Sequence, residues 1–162
     1  LVELAGEECE ALHGLIHRLE RRWNLLPIPD RRFHHAYDPL PFWHFLAGVQ
    51  AAARLVRGRR FLDVGCGIGS KLALMHHLGW TAAGIDRHRP YIDAAAELVP
   101  EASLAHGDAF DIPHFDTDLV YMYRPMISDE QEDALETHIL AHVDPGTVMF
   151  WPLRHDPEVW VI

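Results

Sequence analysis

Phe61-Leu62-Asp63-Val64-Gly65-Cys66-Gly67-Ile68-Gly69-Ser70 is the stretch whose reading decides the fold. An apolar run ends in closely spaced glycines, and a helix-forming segment follows. Glycine permits positive φ and lets a ligand touch the backbone directly. The first N–H groups of the following helix have no intrahelical partner and are open to a ligand in the turn. Strand, glycine turn and helix in this order place a ligand site at the end of a buried strand.

Working outward, short strands and helices alternate. Arg59–Val64, Thr81–Ile85, Ser103–His106, Asp118–Tyr123 and Thr147–Trp151 read as strands. Between them, Ser70–Leu78 reads as a helix closed by Gly79, and Tyr91–Leu98 as a helix ended by Pro100. Asp129–Ala141 is a third helix, with Ser128 as N-cap and Gln131 completing a capping-box pattern. The strands are continuous apolar runs rather than alternating ones. The order β-α-β-α-β-β-α-β therefore predicts a mainly parallel sheet covered on both faces, a three-layer α/β sandwich.

Upstream, residues 3–24 predict a helix, because Leu4, Leu12, Leu15, Ile16, Leu19 and Trp23 recur at helical spacing. Pro27, Pro29, Pro39 and Pro41 break the segment 25–41 into an aromatic and polar loop. A second helix is expected from Phe42 to about Val56, stopped by Gly58. The organisation is thus residues 1–58, N-terminal helices with a Pro-rich lid segment, packed on a core of residues 59–162 as a single domain. No internal repeat or low-complexity tract interrupts it.

Composition narrows the function. The 162 residues fit one domain, and a hydrophobic fraction of 49% supports a real core. No window reaches the ~18 consecutive apolar residues of a membrane span. The acidic stretch Leu1–Glu10 does not read as a signal peptide. A formal net charge of −10 repels phosphate backbones, so nucleic acid is not a favoured partner. The basic group Arg54, Arg57, Arg59 and Arg60 reads as a helix end that complements the helix dipole. Cys9 and Cys66 lack metal or disulfide spacing, which fits a reducing, cytoplasmic setting. His13/His17 and His138/His142 have the i,i+4 spacing that can chelate a metal, but no third ligand lies nearby in sequence. They read as solvated helix faces, and no metal is expected. Lys71 is the one lysine, a bias that reads as compositional.

The turn discriminates between ligands. Dinucleotide sites favour G-x-G-x-x-G, whereas here the spacing is G-x-G-x-G and Ser70 occupies the sixth position. Asp63 precedes the turn; a pyrophosphate would be repelled by it, and a ligand with a sulfonium and an α-amino group would not.

From about Phe61 to Trp151 the chain resembles the class I S-adenosylmethionine-dependent methyltransferases, whose first motif is an acid followed by G-x-G-x-G. The resemblance implies a Rossmann-like sheet of about five strands in the order 3-2-1-4-5. The family's C-terminal antiparallel pair is expected to be shortened or absent, since only eleven residues follow Trp151. The resemblance places the cofactor on Asp63, Gly65, Cys66, Gly67 and Gly69. Asp86 and the adjoining Arg87 follow at the second strand end, where the family's acid accepts from both ribose hydroxyls. Asp108 and Ala109, within a G-D-A segment, hold the adenine in such enzymes. Asp118–Pro125 resembles the fourth motif, but Tyr123-Arg124-Pro125-Met126 replaces the (D/N)PP(Y/F) of amine-modifying DNA enzymes. Asp144-Pro145-Gly146 resembles the structural turn before the fifth strand.

The resemblance implies a methyltransferase using S-adenosylmethionine and yielding S-adenosylhomocysteine, with a small molecule as acceptor. In the lid segment Tyr37 is a candidate for the cofactor carboxylate, and His34 or His35 for a base. Arg124, at a strand end, is a candidate for holding an anionic substrate. Two other readings stand beside this one: a cofactor-binding module or sensor without transfer, and a nicotinamide dinucleotide enzyme, which Asp63 and Ser70 disfavour. A fifth strand left as an open edge would need cover from the tail or from a second subunit in a homodimer.

Overall fold

The computed structural model describes residues 6–24, 39–155 and 157–162. Its elements are α1 (Gly6–Asn24), α2 (Phe42–Ala52), β1 (Arg60–Val64), α3 (Ser70–His77), β2 (Thr81–Asp86) and α4 (Arg89–Leu98). They continue with β3 (Ser103–His106), a 3-10 turn (Ala109–Asp111), β4 (Leu119–Met122), α5 (Asp129–Ala141), β5 (Val148–Phe150) and β6 (Val159–Val161). The six strands form one sheet in the order β3-β2-β1-β4-β5-β6. All neighbours run parallel except β5 and β6, which are antiparallel. This is the Rossmann-like α/β sheet that the sequence predicts.

The pleat of β1 sorts the core into two. Phe61 belongs to one apolar cluster with Phe45, Leu72, Leu74, Met75, Leu119, Tyr121 and Phe150. Leu62 and Val64 belong to the other, with Ile85, Val120, Met122, Leu135, Ile139 and Met149. Alternate side chains leave a strand on opposite faces, so the two clusters are the two sides of the sheet. Residues of α1 to α4 contribute to the first, and α5 to the second. At the C-terminal ends of the strands, the chain leaves β1 for β2 on one side, while β4 returns to β1's other side. That reversal of strand order is where ligands of open α/β sheets bind.

The sequence and the fold differ in a few places. The second helix ends at Ala52 rather than near Val56, because Arg54 N and Leu55 N donate three residues back, to Ala51 O at 3.2 Å and Ala52 O at 2.9 Å, which tightens the last turn. The helix before β3 starts earlier, at Arg89, with Pro90 in its first turn, where a missing N–H costs nothing. Residues 3–5 and the loop 25–38 lie outside the described residues. The tail itself covers the edge of β5. Val159–Val161 pairs with Val148–Phe150, while Glu158 accepts from Leu153 N at 3.0 Å and contacts His44 Nε2 at 2.7 Å. The arginine cluster is partly neutralised: Arg60 pairs with Asp116 and, at 2.9 Å, with Asp118. That guanidinium holds the Asp118 carboxyl below its usual range. No helix among the described residues is long and apolar enough to cross a membrane.

The helix cap at α5 is present: Ser128 Oγ accepts from Gln131 N at 3.3 Å. Ser128→Ala is expected to lower stability by about 1 kcal/mol, with Ser128→Asp near neutral, measured by denaturant unfolding.

Candidate functional site

At the C-terminal ends of β1, β2 and β4 lies a cavity of about 470 Å³. Its floor is the segment Asp63–Gly67. Asp86, Arg87 and Tyr91 form one wall, with Gly107 and Ala109 beside them. Tyr121, Tyr123 and the run Arg124–Ile127 form the other, and Pro39, Leu40, Ser70 and Lys71 close one side.

The turn is built by backbone hydrogen bonding. Gly65 N and Cys66 N both donate to Ile85 O, at 2.8 and 3.1 Å, so the end of β1 is tied to the end of β2. Gly65 has φ +82°, and a Cβ there would lie 3.1 Å from Pro125 Cβ, so the β4 loop packs directly on its backbone. Gly69 caps α3 in a left-handed conformation; a Cβ would meet Ala95 Cβ at 2.9 Å. It does not line the cavity, and its role is the packing of α3 on α4.

Asp86 ties two elements together. Its Oδ2 accepts from Gly67 N at 2.9 Å, and its Oδ1 accepts from His88 N at 2.7 Å. The carboxylate thereby fixes both the glycine turn and the entry to α4, while lining the cavity. A carboxylate oxygen carries two lone pairs and can accept more than one hydrogen bond. Burial first, and then the Asp86 charge, push the Tyr91 phenol up.

Asp63 is the most unusual group in the wall. It is 3% exposed, lines the cavity, and accepts no hydrogen bond from a described residue. Burial pushes its carboxyl up to about 8; Lys71 pulls it down and Asp86 pushes it up further. Because the native value lies above the ordinary 3.8, this group contributes most to stability at low pH. The contribution is lost as pH rises from about 4 through about 8. A buried carboxyl with no hydrogen-bond donor among the described residues is a place where a cation is wanted. Cys66 is buried beside it, and burial pushes its thiol well up, so it is an apolar wall and not a nucleophile.

Of the residues singled out from sequence, Asp63, Gly65, Cys66, Gly67, Asp86, Arg87, Ala109 and Arg124 come together around one cavity. Asp108 stands just behind the rim: its carboxylate accepts from Phe110 N at 3.1 Å and lies 3.5 Å from Arg87 Nη2. Arg124 takes φ 49°, a rare conformation for a non-glycine residue, at the mouth. Tyr37, His34 and His35 lie outside the described residues.

Sequence reasoning missed Lys71. Its Nζ donates to Glu20 Oε1 at 2.8 Å, and Ser70 Oγ donates to the same oxygen at 2.8 Å, which fastens α1 to the start of α3. Its status as the one lysine was the available signal. The histidine pairs are also not simple solvated faces. His13 packs on Phe42 and Trp43, with centroids 5.0 and 5.4 Å apart. His138 Nε2 lies 3.1 Å from Ile112 O, and His142 Nδ1 lies 2.7 Å from His138 O. Among the described residues, His114, Asp116 and Asp144 gather at the surface, before β4 and β5, at the opposite end of the strands from the cavity. Asp116 there already pairs with Arg60.

The sequence model of a family described as "Methyltransferase domain" matches residues 61–146, more than half of the chain and the whole run from β1 to the turn before β5. The chain belongs to this methyltransferase-domain family. No curated protein sequence matches this methyltransferase domain. Its fold is shared with solved structures. An RNA methyltransferase from Salinibacter ruber, in complex with S-adenosyl-L-homocysteine, is similar with TM-score 0.61 and 16% identity, over 70% of this chain and 76% of that one. A TehB-like SAM-dependent methyltransferase from Corynebacterium glutamicum gives TM-score 0.55 and 23% identity, over 67% of each chain. A SAM-bound amino pentose methyltransferase from Micromonospora echinaspora gives 0.55 and 21%, over 73% of this chain and 58% of that one. Others are spanned over about half or less of their length, 47% in the case of a Thiobacillus denitrificans methyltransferase.

Proposed function

We propose that this methyltransferase domain binds S-adenosylmethionine in the cavity at the ends of β1, β2 and β4 and transfers its methyl group to a small-molecule acceptor. The observation that carries the reading is Asp63, a buried carboxyl facing the cavity with no described donor. A phosphate placed there would hold the carboxyl in its neutral form and find no opposite charge in it, whereas a sulfonium with an α-ammonium favours the ionised form and pairs with it. The family match and the neighbours that hold S-adenosylhomocysteine support the same cofactor.

The cofactor supplies an activated methyl on a cationic sulfur, so the protein's work is binding, alignment and exclusion of water. Asp86 takes the ribose hydroxyls from a carboxylate already oriented by Gly67 N and His88 N. Arg87, Asp108 and Ala109 frame the adenine end, with Ala109 at the cavity wall. Tyr121 and Met126, both buried, wall off the opposite side from water. Arg124 stands at the mouth, where a guanidinium suits an acceptor bearing a carboxylate or phosphate. The net charge of −10 supports a small acceptor over a polynucleotide.

The test is incubation with methyl-labelled S-adenosylmethionine and cell extract. Label in a low-mass product supports the reading. Label confined to RNA or protein contradicts the acceptor class, and binding without any labelled product favours a cofactor-binding module.

Asp63 also predicts a proton count. With its carboxyl pushed up to about 8, it is mostly protonated at pH 7 and must ionise to meet a ligand ammonium. Binding of S-adenosylhomocysteine at pH 7 is therefore expected to release close to one proton. Calorimetry in two buffers of different ionisation heat reads this directly. Asp63→Asn should abolish the release, and equal heats in both buffers for the unmodified protein would contradict the assignment.

A further inference from the structure

Lys71 is the one lysine among 14 basic residues, and it is buried. An ammonium is costly to bury and persists only with partners. Glu20 neutralises it across the α1–α3 junction. A lysine has three N–H donors, and Glu20 takes one of them. The amine lies 5.7 Å from the centre of the Phe45 ring, which limits how far it can swing. It lines the same cavity as Asp63, near enough to lower that carboxyl against the effect of its burial. Among the described residues, the wall therefore presents a carboxyl without a donor beside an ammonium with N–H groups left to give.

An α-amino acid carries an ammonium and a carboxylate on one carbon. It matches that wall group for group and adds no net charge to a buried place. We propose that Lys71 holds the α-carboxylate of the cofactor's amino-acid end, beside the α-ammonium already given to Asp63. Glu20, on α1, is the positioning residue that aims Lys71. The proposal rests on the reading of the cavity as an S-adenosylmethionine site. It makes α1 part of cofactor recognition, although α1 lies outside the matched segment 61–146.

The experiment compares three ligands by calorimetry: S-adenosylhomocysteine, its aminopropyl analogue lacking the carboxylate, and methylthioadenosine, which lacks the whole amino-acid end. The unmodified protein is expected to prefer S-adenosylhomocysteine over the aminopropyl analogue by at least about tenfold, the size of one charge-assisted hydrogen bond. Lys71→Met should reduce that preference to within about threefold while leaving methylthioadenosine affinity unchanged. Lys71→Met leaves Glu20 buried without its partner, so Glu20→Met with Lys71→Met is measured alongside; paired apolar replacement of a buried ion pair is commonly tolerated. It should show the same loss of preference. Glu20→Gln should lower the preference part-way. A merely structural ion pair would change stability and leave the ligand ratio alone. Retention of the full preference in the lysine variants, or its absence in the unmodified protein, overturns the proposal. If neither methylthioadenosine nor S-adenosylhomocysteine binds the unmodified protein, the reading of the cavity itself falls.

Discussion

Asp86→Ala is expected to weaken S-adenosylhomocysteine binding by about a hundredfold, the loss of two hydrogen bonds to a charged acceptor at roughly 1.5–3 kcal/mol each, less some compensation by water. The carboxylate stands between the glycine turn and α4, accepting from Gly67 N and His88 N. Removing it takes away the acceptors proposed for the ribose hydroxyls and also frees two backbone donors. Asp86→Asn is informative because it keeps the shape. An amide has one accepting oxygen, so its NH2 group must face either Gly67 N–H or His88 N–H, and donor meets donor. The asparagine variant should therefore bind poorly as well. Methylthioadenosine shares the ribose and should weaken in parallel, which separates this effect from any at the amino-acid end. Thermal unfolding of each variant checks that the fold persists. Unchanged affinity in a folded Asp86→Ala protein would remove the residue from the site.

Gly48→Ala carries the largest expected effect on stability. Helix propensity alone says that alanine is better than glycine in mid-helix by about 1 kcal/mol. Packing says the opposite. A Cβ at Gly48 would lie 2.0 Å from Phe150 Cζ, and Phe150 is fully buried on β5. That ring has little freedom to move, because Phe45 and Tyr121 surround it with centroids at 6.0 and 5.3 Å. Overpacking in such a core commonly costs about 1–3 kcal/mol, and a contact this short belongs at or above the upper end. The net expectation is a loss of about 2 kcal/mol, or roughly 4–8 °C in Tm for a chain of this size. Combining Gly48→Ala with Phe150→Leu should return part of the loss, since the second change removes the obstructing ring atoms. A stabilised Gly48→Ala protein would mean that α2 does not sit on β5 as described.

Much of the fold was legible because its punctuation is local. Gly79, Pro100, Ser128 and the glycines of the turn mark element ends by their own backbone chemistry, and the strands announce themselves as unbroken apolar runs. The end of α2 differs from the sequence expectation for the same reason: Ala51-Ala52-Ala53 favours helix locally, and the turn that stops it is made by Arg54 and Leu55 donating three residues back, to Ala51 O and Ala52 O. The sequence leaves open whether the tail or a second subunit covers β5, because the pairing of β6 goes with contacts such as His44 with Glu158, which are distant in sequence. In the site, the acids at the strand ends follow from motif and position. Lys71 does not, because its meaning lies in Glu20, fifty-one residues away on another helix. Spacing showed that His138 and His142 share a helix face; it carried no information on the carbonyls and rings that occupy them.

The central claim, that the cavity beside the glycine turn takes S-adenosylmethionine rather than a dinucleotide, is tested most directly by calorimetric titration with S-adenosylhomocysteine, with NAD as the control. Micromolar binding of the first and none of the second is the predicted result. Binding of NAD, or of neither ligand by the folded protein, would contradict it.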